Sequence, residues 1–162
     1  MKHLFLVLIF GLTFGTAVLA GPYEDGTTAF QQGEYAAALK LFRVAGKAGH
    51  LEAQLAVAAL YDKGNGVAEN PRAAARWYKM AAQNGSTAAM VILGRRYYDG
   101  QGVVLNYAES AKWFRLAVSQ GDKLSEQWLQ KALRKSQGNS KNAAKVSVRG
   151  KSNVQSVTRV FP

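Results

Sequence analysis

A repeat of 36 residues constrains the fold of this chain more than any other feature of its sequence. Shifting the sequence by 36 positions superimposes ten identical residues, including a tyrosine, a G-x-G-V loop, a tryptophan and a closing glycine. A fixed period of this length is typical of solenoids, in which each unit hides its apolar face against the next. The glycines and tryptophans of this signature are Gly64, Gly66, Trp77, Gly85, Gly100, Gly102, Trp113 and Gly121.

The paired glycines have a second interpretation, which is a loop that binds phosphate. Such a loop needs a lysine followed by serine or threonine after its last glycine, and "GQGVVLN" at 100–106 has neither. A nucleotide site would also occur once in a domain of this size, whereas this loop occurs in both units. The glycines are therefore predicted to be structural joints between packed helices.

Helical periodicity divides the chain into units of two helices. Residues 21–49 form a shorter first unit, and 50–85 and 86–121 are the two long units. In the second unit, Asn70 is a good N-cap and Pro71 a good first helical residue, so a helix is predicted to begin there. Residues 122–135 contain a single helix, which is predicted to cap the last open face of the solenoid.

The first twenty residues have the pattern of a secretory signal peptide. Lys2 and His3 precede an apolar run from 4 to 19, and small residues precede a predicted cleavage site near Ala20. The alternative is an uncleaved membrane anchor, although the run barely reaches the length of a spanning helix. The mature protein is predicted to be exported, to the periplasm or the medium, and its contact with membrane is limited to this segment if it stays attached.

The net charge of +11 is concentrated near the end of the chain. From Lys131 onward there are eight basic and no acidic residues, while the body of the mature chain is nearly balanced. Residues 136–162 are predicted to be a disordered tail, although "KVSVRG" and "VQSVTRVF" alternate like strands that could join a partner's sheet. The basic residues of this tail are Lys141, Lys145, Arg149, Lys151 and Arg159.

The two long units resemble Sel-one-like repeats, which are longer-looped relatives of the tetratricopeptide repeat. The resemblance is carried by "AQLAVAALYDKGNGVAENPRAAARWYKMAAQNG" and "AAMVILGRRYYDGQGVVLNYAESAKWFRLAVSQG", and the first unit is similar to a plain tetratricopeptide repeat. It implies an all-α fold, an α-solenoid of antiparallel helix pairs that winds as a right-handed superhelix. It also implies a non-catalytic adaptor without cofactors.

In this family the first helix of each pair lines a concave face. The resemblance implies that this face is the binding surface. A peptide with an apolar anchor and carboxylates would suit the mixture of apolar and basic side chains there. The residues that the resemblance places on this face are Leu55, Asp62, Lys63, Val91, Arg95, Tyr98, Asp99, Gln127 and Lys131.

The sequence offers no convergent set of catalytic or metal-binding residues. The mature chain has no cysteine and a single histidine, His50, at a predicted helix start, where caps and surface residues are usual. Glu52 is close in sequence, but residues two apart on a helix do not face each other. The chain is therefore predicted not to be an enzyme.

Two functions from different classes remain open at this stage. The first is an exported scaffold that binds a protein or peptide through the concave face, with an oligomer possible. The second is a binder of an anionic surface or polymer through the basic tail, although nucleic acid is not expected for an exported protein. High salt should weaken binding through the tail far more than binding through an apolar groove.

Overall fold

Seven consecutive helices form the part of the chain that the computed structural model describes, residues 21–140. Each of the first six helices packs against its neighbour along the chain, the sixth shares a buried cluster with the seventh, and this part contains no strand. The predicted all-α solenoid is confirmed. The helices are α1 (Pro22–Gln31), α2 (Tyr35–Lys47), α3 (Leu51–Lys63), α4 (Pro71–Gln83), α5 (Thr87–Asp99), α6 (Tyr107–Ser119) and α7 (125–140).

Short polar side chains and one histidine begin the four central helices. The side chains of His50, Asn70, Ser86 and Asn106 each accept a hydrogen bond from a backbone N–H in the first turn of the helix that follows. Such bonds satisfy donors that have no partner inside the helix, and each contributes about 1 kcal/mol. The predicted start of α4 at Pro71, after the Asn70 cap, is confirmed.

Glycines in the left-handed conformation end the same helices. Gly64 and Gly100 are the C-caps of α3 and α5, with φ of 68° and 76°. Gly85 and Gly121 follow the C-caps of α4 and α6, also with positive φ. A side chain at such a φ would bring Cβ against the backbone, so these positions favour glycine.

The second glycine of each paired loop joins neighbouring units. A Cβ on Gly66 would lie 2.4 Å from the backbone nitrogen of Ala36, in the first turn of α2. A Cβ on Gly102 would lie 2.2 Å from the carbonyl oxygen of Pro71, at the start of α4. Each loop therefore rests on the first turn of the even-numbered helix in the preceding unit, and only glycine permits so close an approach.

Two repeated tryptophans fill the space between successive even-numbered helices. Trp77 of α4 lies against Gly46 of α2, where an added Cβ would be 3.0 Å from the indole ring. Trp113 of α6 packs against the buried cluster formed by α3, α4, α5 and α6, which includes Ala82. Both tryptophans are thus packing residues between units.

The last helix extends beyond the predicted cap. Most of α7 lies within 122–135, but α7 continues to residue 140, so the predicted start of the tail at 136 falls within a helix. The predicted signal segment and the tail from Lys141 onward lie outside the described residues.

Candidate functional site

A cavity of about 630 Å³ lies between α5 and the start of α7. Its wall is mainly apolar, and two of its polar members, Arg95 and Gln127, were predicted to lie on the binding face. Both α5 and α7 occupy the place of the first helix in their units, and the binding face was predicted on first helices. The lining residues are Thr87, Ala88, Val91, Ile92, Arg95, Asp122, Leu124, Ser125, Gln127 and Trp128.

Trp128 forms one wall of this cavity, and two cations lie over its ring. The guanidinium carbon of Arg95 lies 4.7 Å from the ring centroid, and Nζ of Lys131 lies 4.6 Å from it. The same ring stacks on Phe114 and meets the edge of Tyr98. Packing therefore fixes the indole, and cation–π contacts hold two positive charges beside an apolar wall.

The cavity is also bordered by an exposed aliphatic side chain. Leu124 has 78% of its surface exposed although it lines the cavity, and Val91 and Ile92 opposite it are half-buried. An apolar side chain from a partner would cover these three residues. The arrangement is thus an apolar pocket with positive charge at its rim.

Asp62, which was predicted to face a partner, is bound inside the protein. Its carboxylate forms an ion pair with Arg96 of the next unit, whose side chain is only 8% exposed. The guanidinium of Arg96 also lies over the ring of Tyr78, 5.0 Å from its centroid. Burial, and next the Asp62 carboxylate, raises the pKa of Tyr78 to about 12. Asp62 therefore joins two units and is not free to bind a ligand.

The other predicted binding residues lie on α3 and α5. Leu55 is half-buried against the core of the second and third units, and Tyr98 is held by Tyr107 and Trp128. Lys63 and Asp99 are exposed at the last residues of α3 and α5. The structure thus brings Val91, Arg95, Gln127 and Lys131 together with Tyr98 around Trp128, and leaves the α3 residues apart from them.

Sequence reasoning missed Trp128, Ile92 and Leu124 as parts of the site. Trp128 lies in the helix that was predicted only as a cap, and its role became visible only when α5 was placed beside α7. The repeat did carry a clue, because Trp128 falls 36 residues after Ile92 and so takes the same place in its unit.

His50 contacts Glu52, contrary to the expectation from their spacing. Because His50 is the N-cap and lies outside the helix, its Nδ1 is 3.2 Å from a carboxylate oxygen of Glu52 and accepts a hydrogen bond from the Ala53 N–H. The ring also stacks on Tyr23 at 4.0 Å. His50 thus holds α1 to the start of α3 and does not face the cavity.

Neither metal-binding clusters nor membrane spans occur among residues 21–140. No group of three or more His, Cys, Asp or Glu side chains converges there. No helix in that range is long and apolar enough to cross a bilayer.

The stacked helix pairs of this chain identify it as a helical-repeat solenoid, and its apolar pocket lies between the first helices of two units. Comparison with family models places the chain further: the Sel1 repeat model matches residues 17–50, 51–86 and 87–122. The chain belongs to the Sel1 repeat family, as the two long units indicated. The first match covers the unit that resembled a plain tetratricopeptide repeat, and it begins within the predicted signal segment.

Solved structures of similar proteins share this fold. A Sel1 repeat protein from Oxalobacter formigenes is 26% identical, with a TM-score of 0.61 over 68% of this chain and 86% of that one. A protective antigen of uropathogenic Escherichia coli with an SLR fold is 28% identical, with a TM-score of 0.58 over 64% of this chain. This chain spans 23% of the length of that antigen.

Helicobacter pylori cysteine rich protein B is similar in fold alone. It is 20% identical, with a TM-score of 0.52 over 64% of this chain and 93% of that one. The present chain has no cysteine, so its units are held by packing. No curated protein matches this sequence.

Proposed function

We propose that this protein is a non-catalytic scaffold that binds a protein or peptide partner in the groove formed by α5 and α7. Sel1 repeat proteins typically mediate interactions between proteins and are generally not catalytic. The observation that carries the proposal is the apolar cavity whose wall, Trp128, is flanked by Arg95 and Lys131.

The side chains of this groove define the chemistry of the partner. An aliphatic or aromatic side chain would fill the space between Val91, Ile92 and Leu124. A carboxylate next to it would reach Arg95 or Lys131, which lie at the rim. Anchors of this kind, buried at the centre of a contact and surrounded by polar groups, provide most of the affinity of protein interfaces.

Selection from a random peptide display library tests the proposal. We expect the selected peptides to share an apolar residue beside Asp or Glu, and their binding to residues 21–162 to weaken about 30-fold with Trp128→Ala, as for a buried aromatic anchor. Arg95→Glu provides a second variant, because it reverses the charge of an exposed side chain that lines the groove.

The matched control is Arg72→Glu, which makes the same change of charge at an exposed position of α4. Binding should survive this change. Peptides that bind all three variants as they bind the unaltered protein would place the binding surface elsewhere and refute the assignment of the groove.

Export of the chain is part of this proposal and rests on the pattern of residues 1–20. We further propose that cleavage follows Ala20, because Val18 and Ala20 are the small residues that a signal peptidase needs before its cleavage site. Attachment to an anionic surface through Lys141, Lys145 and the other tail cations stays a prediction, since the tail lies outside the described residues.

A further inference from the structure

The outward faces of α2, α4 and α6 carry a second repeated surface, which the peptide groove does not use. Three rows of side chains recur there at the 36-residue period, and all nine side chains are exposed. We call these nine residues the outer surface. The aliphatic row is Val44, Met80 and Leu116, and the two basic rows are Lys40, Arg76 and Lys112, and Arg43, Lys79 and Arg115.

Helical geometry places the three rows on one side of each helix. In α2, residues 40, 43 and 44 are related by i, i+3 and i+4 spacing and so share a face. The buried residues Ala38, Phe42 and Ala45 lie on the opposite face. Residues of α4 and α6 at the corresponding positions are arranged in the same way.

Charge is segregated between the two sets of helices. The even-numbered helices α2, α4 and α6 contain eight Lys or Arg and one acidic residue. That residue, Glu109, is bound to Lys112. In contrast, α1, α3 and α5 contain three basic and five acidic residues. The body of the chain is therefore nearly balanced in total charge, but its even-numbered helices form a strongly basic surface.

The aliphatic row is exposed to water beside the two basic rows. Val44, Met80 and Leu116 expose 57%, 36% and 46% of their area. Trp77 packs against α2, and Trp113 packs against a buried cluster to which α4 contributes, so the three units are stacked in order and each presents one of these residues. Nothing in the packing of the solenoid requires an aliphatic residue at this position, because it faces away from the core.

We infer that the outer surface binds an anionic phospholipid bilayer. Cations near such a surface are attracted to its negative headgroups, and aliphatic side chains gain free energy when they enter the boundary with the acyl chains. The outer surface offers both kinds of side chain at the same positions of α2, α4 and α6. This inference concerns other helices than the peptide groove, so it holds or fails independently of the proposed function.

Other anionic partners match the outer surface less well. Single-stranded nucleic acid is bound through bases that stack on aromatic rings, and none of the nine side chains is aromatic. A duplex presents phosphates to the cations but no apolar surface to the aliphatic row. An acidic protein would leave the same row with no defined partner unless it presents apolar residues of its own.

Vesicle cosedimentation tests the inference with protein that comprises residues 21–162, which removes the apolar segment 4–19. The probes are vesicles of phosphatidylglycerol mixed with phosphatidylcholine, and vesicles of phosphatidylcholine alone. We expect binding to the anionic vesicles only. Replacing one basic row, by Arg43→Gln, Lys79→Gln and Arg115→Gln, should weaken it about 100-fold, since each cation near the surface contributes about fivefold.

Replacement of the aliphatic row gives a second, distinguishable effect. Val44→Ser, Met80→Ser and Leu116→Ser together should weaken vesicle binding about tenfold, as expected for partial burial of three side chains. The salt dependence should be unchanged, because no charge is lost. Circular dichroism melts of each triple variant confirm that the helices remain folded, as expected for exposed positions.

Matched controls separate this surface from the rest of the chain. The variant Lys123→Gln, Arg134→Gln, Lys135→Gln removes three exposed cations from outside the outer surface and should bind vesicles almost as well. A second control variant replaces the tail cations by glutamine, and this variant should still bind the anionic vesicles. Vesicle binding that is lost only with the tail, or that falls equally with the control, would overturn the inference.

Polyglutamate and duplex DNA serve as the competing ligands. If either binds through the basic row while anionic vesicles do not bind, the inference is wrong. If vesicles bind as well, the variant with the aliphatic row replaced distinguishes the ligands. This replacement must weaken vesicle binding and leave binding of the other ligand unchanged. An equal effect on both would also overturn the inference.

Discussion

Replacing Gly102 by alanine tests the reason for the paired glycines. Two costs add at this position: a positive φ of 69° and a contact of 2.2 Å between the new Cβ and the carbonyl oxygen of Pro71. The first costs about 1 kcal/mol for alanine. The second requires the loop to move off the first turn of α4, which breaks the contact between two units. We expect a total loss of about 3 kcal/mol in the free energy of unfolding.

Gly100→Ala is the matched control for this prediction. Its φ of 76° carries the same backbone cost, but its nearest atom outside the adjacent residues, Cβ of Leu105, is 3.4 Å away, an ordinary contact. We therefore expect a loss of about 1 kcal/mol. Urea denaturation of both variants measures the difference, with the m value as a check that the unfolding transition remains comparable.

Equal losses for the two variants would refute this account of the loop. They would mean that the second glycine serves only its own backbone conformation and that the loop does not need to touch the preceding unit. A loss at Gly102 accompanied by a lower m value would instead indicate that the third unit unfolds separately, which is the behaviour of a solenoid whose interface has been weakened.

Two further outcomes follow from the structure. The pKa of Tyr78 is raised to about 12 in the folded state, so the unfolded chain loses the tyrosine proton first and the free energy of unfolding should fall between pH 10 and 12. Urea titrations at alkaline pH should show that Tyr78→Phe removes this part of the fall. An unchanged dependence of the free energy of unfolding on pH in this variant would contradict the prediction. If the chain is exported as proposed, mass spectrometry of the protein purified from the export compartment should find Gly21 as the first residue, whereas retention of Met1 would contradict cleavage.

The candidate site could be predicted only in part from the sequence. Val91, Arg95 and Gln127 were placed by family geometry and do line the cavity. Asp62 was placed by the same rule, yet it binds Arg96, because a carboxylate near the end of α3 comes within reach of the next unit only after the units stack. Positions on one helix follow from periodicity, whereas partners across units depend on how helices are arranged.

The sequence alone determined the helices, their caps and the number of stacked units, because these depend on local preferences and on a period that recurs along the chain. Only the tertiary structure decided which charges meet and which remain exposed. The body of the chain is almost neutral as a list of residues, but folding collects its cations on α2, α4 and α6 and pairs the carboxylate of Asp62 with a buried arginine. Coulomb interactions depend on distance in space, and distances between units are set by packing.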